Sequence, residues 1–144
     1  AREFFTKKVC FIGPESTGKS TICQNLAKYF NTVTAQEYAK TFINQMNSNL
    51  SFEHMLLIAQ RQRYAENALM RIANKILLCD SDAITTSVWS KELFGEIDEQ
   101  VWDMVKNSKY DMTFLMYPDT PWIFDTHRQF NQNDTQSFRL KMFL

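Results

Sequence analysis

Near its start the chain contains Gly13-Pro14-Glu15-Ser16-Thr17-Gly18-Lys19-Ser20, and the interpretation of all 144 residues depends on this octapeptide. It matches the pattern G-x-x-x-x-G-K-[ST], whose backbone N–H groups turn inward around an anion at the start of a helix. The apolar run at 8–12 predicts a buried strand before it, and the apolar spacing over 22–30 predicts an amphipathic helix after it. This strand–loop–helix context predicts a binding site for the phosphates of a nucleotide.

Each residue type in the octapeptide has a physical role in such a site. Glycines at 13 and 18 permit the tight backbone path, Lys19 reaches the β- and γ-phosphates as a mobile charge, and the Ser20 hydroxyl is short enough to ligate magnesium. ATP and Mg²⁺ are therefore the expected cofactors. We expect the nucleotide to be bound by the octapeptide and the residue after it: Gly13, Pro14, Glu15, Ser16, Thr17, Gly18, Lys19, Ser20 and Thr21.

The composition is that of one globular domain. Hydrophobic residues make up 44% and aromatic residues 14% of the chain, which is enough for a sizeable core. The 16 basic and 16 acidic residues balance, and no basic run suggests a nucleic-acid partner. Three cysteines without metal-type spacing indicate buried thiols in a reducing compartment, and the longest apolar run, 55–59, is far too short to span a membrane. A cytoplasmic domain is expected.

The hydrophobic periodicity predicts that strands and helices alternate along the chain. Such α/β chains form a parallel sheet with helices on both faces, the three-layer αβα arrangement of phosphate-loop (P-loop) kinases. The predicted strands are 8–12, 32–35, 75–80 and 112–117, and the predicted helices are 18–30, 37–46, 52–73, 83–94, 98–107 and a last one from about 134 onward. We expect a single domain over 1–144 that is truncated after the fourth strand, with a final strand and helix missing.

Acidic residues stand at the carboxyl end of the predicted strand 75–80. Ligands of doubly wound sheets bind at the carboxyl ends of strands, so Asp80 is expected to point toward the phosphates and to hold magnesium together with Ser20. Asp82 is a candidate for substrate binding. The alternative is a helix N-cap at the start of 83–94, a role that suits Asp82 or Ser81 better than Asp80.

Glu37 follows the short strand 32–35 at the edge of the same cleft. A carboxylate there could accept the proton of an attacking hydroxyl, which is the role of the base in phosphoryl transfer. Acidic residues also favour the first turn of a helix because of its dipole, so a structural role is an equal alternative for Glu37.

Arg128 lies after the fourth predicted strand, in the segment 121–128 where the lid of a kinase would begin. A guanidinium group on a mobile segment could close over the phosphates and neutralise charge in the transition state. Many surface arginines have no such role, and the position of the segment is what makes this one a candidate.

Other candidates for substrate contact lie on the predicted helices. Gln62 falls on the apolar stripe of helix 52–73, so its amide must find a partner in the substrate or in a neighbouring backbone group. Tyr38, Trp89 and Trp122 are candidate stacking platforms for a planar base, with a place in the core as the alternative. The stripe itself consists of Met55, Ile58, Ala65, Leu69 and Ile72.

These motifs together resemble the ribosylnicotinamide kinase domain of NadR-type proteins, a branch of the P-loop nucleoside kinases. Residues 13–21 resemble the family loop G-[GP]-E-S-[ST]-G-K-S, 37–40 its E-Y-[AG]-R, and 80–86 its D-T-D-x-[IL]-T-T. Residues 121–128 are similar to its P-W-x-x-D-G-x-R lid. The resemblance covers nearly the whole chain, and it departs from the family at Lys40, where an Arg is usual, and at Thr126, which replaces the lid glycine.

The resemblance implies transfer of the ATP γ-phosphate to the 5′-hydroxyl of ribosylnicotinamide, which gives nicotinamide mononucleotide in NAD salvage. Residues 2–5 are similar to the stretch that joins an adenylyltransferase domain to the kinase domain, so 1–7 are expected to be a linker. The expected catalytic residues are Lys19, Glu37, Asp80 and Arg128. The expected substrate-binding residues are Glu37, Tyr38, Gln62, Asp82 and Trp89.

Two alternatives stay open at this point. A kinase for another nucleoside or for a nucleoside monophosphate differs only in its acceptor, and a non-catalytic regulatory domain would bind ATP without turnover. A GTPase is disfavoured because Asn74-Lys75 is not followed by the Asp of a guanine-reading N-K-x-D.

Overall fold

The computed structural model describes residues 5–14, 17–46 and 49–116, and only the backbone of Lys40 and Ile43. The strands in these ranges are β1 (Lys7–Ile12), β2 (Thr34–Ala35), β3 (Ile76–Asp80) and β4 (Met112–Leu115). The helices are α1 (Lys19–Phe30), α2 (Tyr38–Gln45), α3 (Phe52–Met70), α4 (Ala83–Phe94) and α5 (Glu99–Lys106). Every element predicted up to residue 116 is present, with ends shifted by a few residues. The predicted helix from 134, the lid segment and Trp122 lie outside the described residues.

The four described strands form one parallel sheet in the order β2-β3-β1-β4. In the centre, Cys10 of β1 lies opposite Cys79 of β3, and Phe11 lies opposite Phe114 of β4. Because the strands run in one direction, the residues that follow β1, β2 and β3 meet at the same edge of the sheet. This edge therefore carries the octapeptide, Glu37 and the acidic residues after Cys79.

Helices cover both faces of this sheet. On one face, Phe11 belongs to a buried cluster with Cys23 of α1. On the other face, Leu69 of α3 packs against a buried cluster that contains Cys10 and Leu77. The predicted three-layer αβα arrangement is therefore confirmed. Burial of the central strands on both sides explains why their sequences are nearly continuous apolar runs.

Helix α3 confirms part of the predicted stripe, because Met55 and Ile58 are buried and Leu69 packs against the sheet. It ends at Met70, and Ile72 lies beyond that end with 59% of its surface exposed, so the prediction for Ile72 is wrong. The buried residues of the helix are Met55, Ile58, Ala59, Gln62 and Glu66. A pattern of apolar residues misses Glu66, because a buried charge is tolerated only where it is paired, and Glu66 has such partners.

The three cysteines are buried and have free thiols, so their predicted burial is confirmed. Burial raises the pKa of the Cys23 thiol to about 12 and also raises the pKa of the Cys10 and Cys79 thiols. These thiols therefore stay protonated at neutral pH. Among the described helices, none combines the length and the apolar character that a membrane span requires.

Candidate active site

Two glycines shape the backbone between β1 and α1. Gly13 has φ +145°, and a Cβ atom on it would lie 2.8 Å from the carbonyl oxygen of Met116, just after β4. Gly18 has φ +83° and is the N-cap of α1. Any other residue would be strained at both positions, and at Gly13 it would also collide with the neighbouring chain. The path that the sequence motif requires is therefore present at both glycines.

The remaining loop residues support this path. The Thr17 hydroxyl donates a hydrogen bond to the Pro14 carbonyl oxygen at 2.9 Å, so the loop is closed by one of its own side chains. Thr21 is exposed in the first turn of α1. Glu15 and Ser16 lie outside the described residues, and their contacts with a nucleotide stay a prediction.

Lys19 connects the loop to the carboxylate of Glu37. The lysine is only 7% exposed, and its Nζ donates to the Gly13 carbonyl oxygen at 3.0 Å. The same Nζ lies 3.9 Å from Glu37 Oε2. A shielded ammonium group at the start of a helix adds to the positive end of the helix dipole, so negative charge is favoured at this point.

Glu37 occupies the N-cap position of α2, but its side chain makes no capping hydrogen bond. The carboxylate, on a side chain that is 16% exposed, is turned toward Lys19 instead. The structural alternative also remains, because a carboxylate at this position interacts favourably with the dipole of α2. The ion pair adds a second fact, which is that the carboxylate reaches the phosphate-binding loop.

Ser20 and Asp80 are in direct contact, although they are 60 residues apart in sequence. Ser20 Oγ, in the first turn of α1, donates to Asp80 Oδ2, and Asp80 is the last residue of β3 and only 4% exposed. A hydroxyl and a carboxylate oxygen side by side are the hard ligands that magnesium takes. The residues described contain no group of three or more His, Cys, Asp and Glu side chains that could hold a metal ion.

Asp82 caps helix α4. Its Oδ1 accepts a hydrogen bond from the Ile84 N–H at 2.7 Å, which is the N-cap alternative that the sequence left open. Burial raises the pKa of its carboxyl group above the ordinary value. Ser81, with φ +83°, turns the chain sharply between Asp80 and Asp82. A role of Asp82 in substrate binding stays a prediction.

The side-chain amide of Gln62 has backbone partners at both ends. Its Oε1 accepts from the Tyr38 N–H at 2.6 Å, and its Nε2 donates to the Gln36 carbonyl oxygen at 3.0 Å. The sequence left two possible partners for the Gln62 amide, the substrate and a neighbouring backbone group, and in the structure the partners are backbone groups. The Tyr38 hydroxyl accepts from Arg61 at 2.6 Å, and Trp89 lies half-buried on α4. Their stacking roles stay predictions.

A buried charged cluster behind the site was missed by the sequence reasoning. Glu66 is 1% exposed, and its carboxylate accepts from the Tyr110 hydroxyl at 2.9 and 3.1 Å. Lys8 Nζ lies 3.2 Å and Arg63 Nε 3.9 Å from the same carboxylate. Burial first, and then the Glu66 carboxylate, raise the pKa of the Tyr110 phenol. The signal was present in the sequence, because Glu66 lies one helical turn after Gln62 and so on the same face.

The structure thus brings Gly13, Lys19, Ser20, Glu37 and Asp80 together, since Lys19 contacts Gly13 and Glu37 while its neighbour Ser20 contacts Asp80. A parallel sheet whose central strand leads through a glycine loop into a helix, with an acidic strand end beside the loop serine, defines a P-loop nucleotide-binding domain. The chain belongs to the family described as "AAA domain", whose model matches residues 8–142.

Two curated relatives carry the name "Trifunctional NAD biosynthesis/regulator protein NadR". The protein from Salmonella typhimurium (strain LT2) is 30% identical over an alignment of 148 positions, which covers 96% of this chain and 35% of that protein. The protein from Escherichia coli (strain K12) is 30% identical over an alignment of 146 positions, with the same coverage. The motif-based resemblance to NadR-type proteins is therefore confirmed. This chain spans about a third of the length of these relatives.

Solved structures show the same fold. The NadR protein in complex with NR superposes with a TM-score of 0.80 at 24% identity, over 99% of this chain and 42% of that one. Thymidylate kinase from Ehrlichia chaffeensis superposes with a TM-score of 0.60 at 20% identity, over 96% of this chain and 85% of that one. The predicted P-loop kinase fold is therefore confirmed.

Proposed function

We propose that this domain is a ribosylnicotinamide kinase, which transfers the γ-phosphoryl group of ATP to the 5′-hydroxyl of ribosylnicotinamide and produces nicotinamide mononucleotide and ADP. The observation that carries the proposal is the distance of 3.9 Å between Glu37 Oε2 and Lys19 Nζ, which puts a proton acceptor beside the cation of the phosphate-binding loop. Phosphoryl transfer to a hydroxyl group requires a group that accepts its proton, and the Glu37 carboxylate can do this. The choice of ribosylnicotinamide as the acceptor is supported by the names of the relatives. Two curated relatives are named for NAD biosynthesis, and one solved structure is a NadR protein in complex with NR.

In the proposed reaction the acceptor oxygen forms a bond to the γ-phosphorus while the bond from that phosphorus to the β,γ-bridging oxygen breaks. ADP leaves with the electron pair of the broken bond, and the proton of the acceptor hydroxyl goes to the Glu37 carboxylate. Lys19 and the N–H groups of the loop hold the phosphates and offset their charge. Most of the rate enhancement then comes from positioning and electrostatics.

Ser20 and Asp80 are the residues that would hold magnesium. The ion, when bound, supplies charge neutralisation at the β- and γ-phosphates. The hydrogen bond between Ser20 Oγ and Asp80 Oδ2 already keeps both oxygens at one point beside the loop, and the burial of Asp80 restricts its side chain. The donor set, a hydroxyl and a carboxylate oxygen, therefore fits a magnesium ion.

The remaining site roles are proposed on the sequence alone. Arg128, beyond the described residues, would add positive charge over the phosphates when the acceptor is bound. Tyr38 or Trp89 would stack on the nicotinamide ring, and Asp82 would accept a hydrogen bond from the ribose. The cytoplasmic location and the absence of a nucleic-acid partner stay predictions as well.

The test is the formation of nicotinamide mononucleotide from ATP, Mg²⁺ and ribosylnicotinamide, followed by chromatography. We expect Lys19→Ala to lower kcat by about three orders of magnitude and Glu37→Gln to lower it by about two to four orders of magnitude. Thermal unfolding should show that both variants stay folded. Lys28→Ala, an exposed lysine on the same helix, is the matched control and should keep full activity. A Lys19→Ala variant with normal turnover would overturn the proposal.

A panel of acceptors separates the remaining alternatives. Transfer to another nucleoside or to a nucleoside monophosphate, in preference to ribosylnicotinamide, would replace the acceptor and keep phosphoryl transfer as the reaction. ATP binding measured by calorimetry, with no transfer to any acceptor in the panel, would favour a regulatory domain over a kinase.

A further inference from the structure

We propose that Gln62 is a positioning residue, which holds the Glu37 carboxylate against the phosphate-binding loop by binding the backbone on both sides of Glu37. The inference rests on the proposed function, because it assigns Gln62 a part in the kinase reaction through Glu37. It differs from the prediction that Gln62 binds the substrate, since the two amide contacts seen in the structure are with the protein backbone.

The two hydrogen bonds of Gln62 fix the two peptide groups that flank Glu37. The Gln36 carbonyl belongs to the peptide group before Glu37, and the Tyr38 N–H belongs to the peptide group after it. One side chain, with a donor at 3.0 Å and an acceptor at 2.6 Å, therefore restrains both φ and ψ of Glu37. These dihedrals set the direction of the Cα–Cβ bond and so the direction in which the carboxylate points.

Burial makes these contacts strong. Gln62 is 6% exposed, so water competes little for its amide, and replacement by an apolar side chain would leave the Tyr38 N–H and the Gln36 carbonyl without this partner. The neighbouring Arg61 also contacts Tyr38, at the hydroxyl, but that contact is exposed and does not touch the backbone. Of the two α3 residues, Gln62 is therefore the one that can orient Glu37.

Helix α3 is itself fastened to the sheet one turn further on. Glu66 lies four residues after Gln62 and is held by Lys8 at 3.2 Å and by Tyr110 at 2.9 Å. Lys8 belongs to β1, the strand that leads into the phosphate-binding loop. Glu37 is thus connected to β1 through Gln62 and Glu66 of α3, and Lys19 is connected to β1 through the loop. Because both residues are held by the same strand, a residue after β2 can be kept at a defined distance from the loop.

The variant Gln62→Met tests the inference, because methionine has a similar length and no strong donor or acceptor. A misplacement of about 1 Å can lower a rate by about 100-fold, so we expect kcat to fall by about 10- to 100-fold. The KM for ATP should stay within about twofold of its original value, because no residue of the phosphate-binding loop is replaced and Lys19 keeps its hydrogen bond to the Gly13 carbonyl oxygen. Gln60→Met, at an exposed position of the same helix, is the matched control and should leave kcat unchanged.

A double-mutant cycle with Glu37→Gln distinguishes positioning from a general structural role. If Gln62 acts through Glu37, Gln62→Met should lower kcat in the original background and have little further effect in the Glu37→Gln background. An equal loss in both backgrounds, or a rise in the KM for ATP in place of the fall in kcat, would overturn the inference while the kinase proposal stands. Absence of phosphate transfer by the unaltered chain would instead overturn the proposed function itself.

Thermal unfolding and ATP binding are measured first, so that a misfolded variant is recognised. If Gln62→Met does not fold, Gln62→Glu takes its place in the same cycle. Glutamate keeps an acceptor for the Tyr38 N–H and loses the donor for the Gln36 carbonyl oxygen, so the same non-additivity with Glu37→Gln is expected. Additive losses with this variant would count against the inference in the same way.

Discussion

Replacing Glu66 by Gln tests how far the buried charged cluster stabilises the domain. Glu66 is 1% exposed and lies 3.2 Å from the ammonium group of Lys8, whose side chain is 16% exposed. Glutamine keeps the size of the side chain and can still accept from the Tyr110 hydroxyl, so the variant removes a charge with little change of shape. The Lys8 ammonium is then left largely buried without its carboxylate.

The expected loss of unfolding free energy follows from this geometry. Removing one partner of a buried ion pair costs about 3–5 kcal/mol, chiefly because the other charge stays buried and unpaired. Lys8 keeps some contact with water and Tyr110 keeps an acceptor, so we expect the low end, about 3 kcal/mol. In the double variant Lys8→Met/Glu66→Gln no buried charge is left uncompensated at this pair. Its cost should fall below the sum of the single costs by about 2 kcal/mol.

The assay is urea denaturation at pH 7, followed by circular dichroism and evaluated by linear extrapolation. The matched control is the ion pair between Lys106 and Asp103, which has the same separation of 3.2 Å but side chains that are 56% and 62% exposed. Asp103→Asn should cost less than about 0.5 kcal/mol, because exposed pairs contribute little. If Glu66→Gln cost no more than this control, or if the two single costs simply added, burial would not be the source of the stabilisation.

Three further changes have defined outcomes. Gly13→Ala should lower the unfolding free energy by about 2 kcal/mol, because φ is +145° and the new Cβ would lie 2.8 Å from the Met116 carbonyl oxygen. Gly95→Ala, with φ +77° and no atom within 4 Å of the new Cβ, should cost about 1 kcal/mol in the same denaturation assay. Asp80→Asn should raise the Mg²⁺ concentration for half-maximal turnover by about 10-fold or more, and an unchanged value would remove Asp80 from the metal site. At pH 8 the Cys23 thiol, with a pKa of about 12, is ionised in about one molecule in 10⁴. A disulfide reagent should therefore titrate no thiol in the folded chain and three after unfolding. Rapid reaction in the folded state would contradict the burial of Cys10, Cys23 and Cys79.

The elements of the fold were predictable because their signals are local. Helical spacing predicted 83–94, and the helix is observed over Ala83–Phe94, followed by Gly95 in the left-handed conformation that ends helices. The loop motif likewise predicted a tight backbone path at Gly13 and Gly18, and both glycines have positive φ angles. The short strand predicted over 32–35 is reduced to Thr34–Ala35, since the length of an edge strand depends on the strand it pairs with.

The partners of the polar residues were less predictable. Asp82 could be assigned to a cap or to the substrate from the sequence, and only the position of the Ile84 N–H shows that it forms the cap. Gln62 had two alternatives for the same reason. The spacing from Gln62 places Glu66 on the same helix face, but its partners Lys8 and Tyr110 are far from it in sequence and are known only from the structure.

By itself, the amino-acid sequence determined the order of strands and helices, the phosphate-binding loop and the residue types available to a kinase, because each of these depends on neighbours within a few turns. Only the tertiary structure decided that Glu37 lies 3.9 Å from Lys19, that Asp80 contacts Ser20 and that Gln62 binds the backbone on both sides of Glu37. These contacts join residues from different strands and helices. Their geometry is set by the order of strands in the sheet and by the packing of α3 on it, neither of which is encoded in any local pattern.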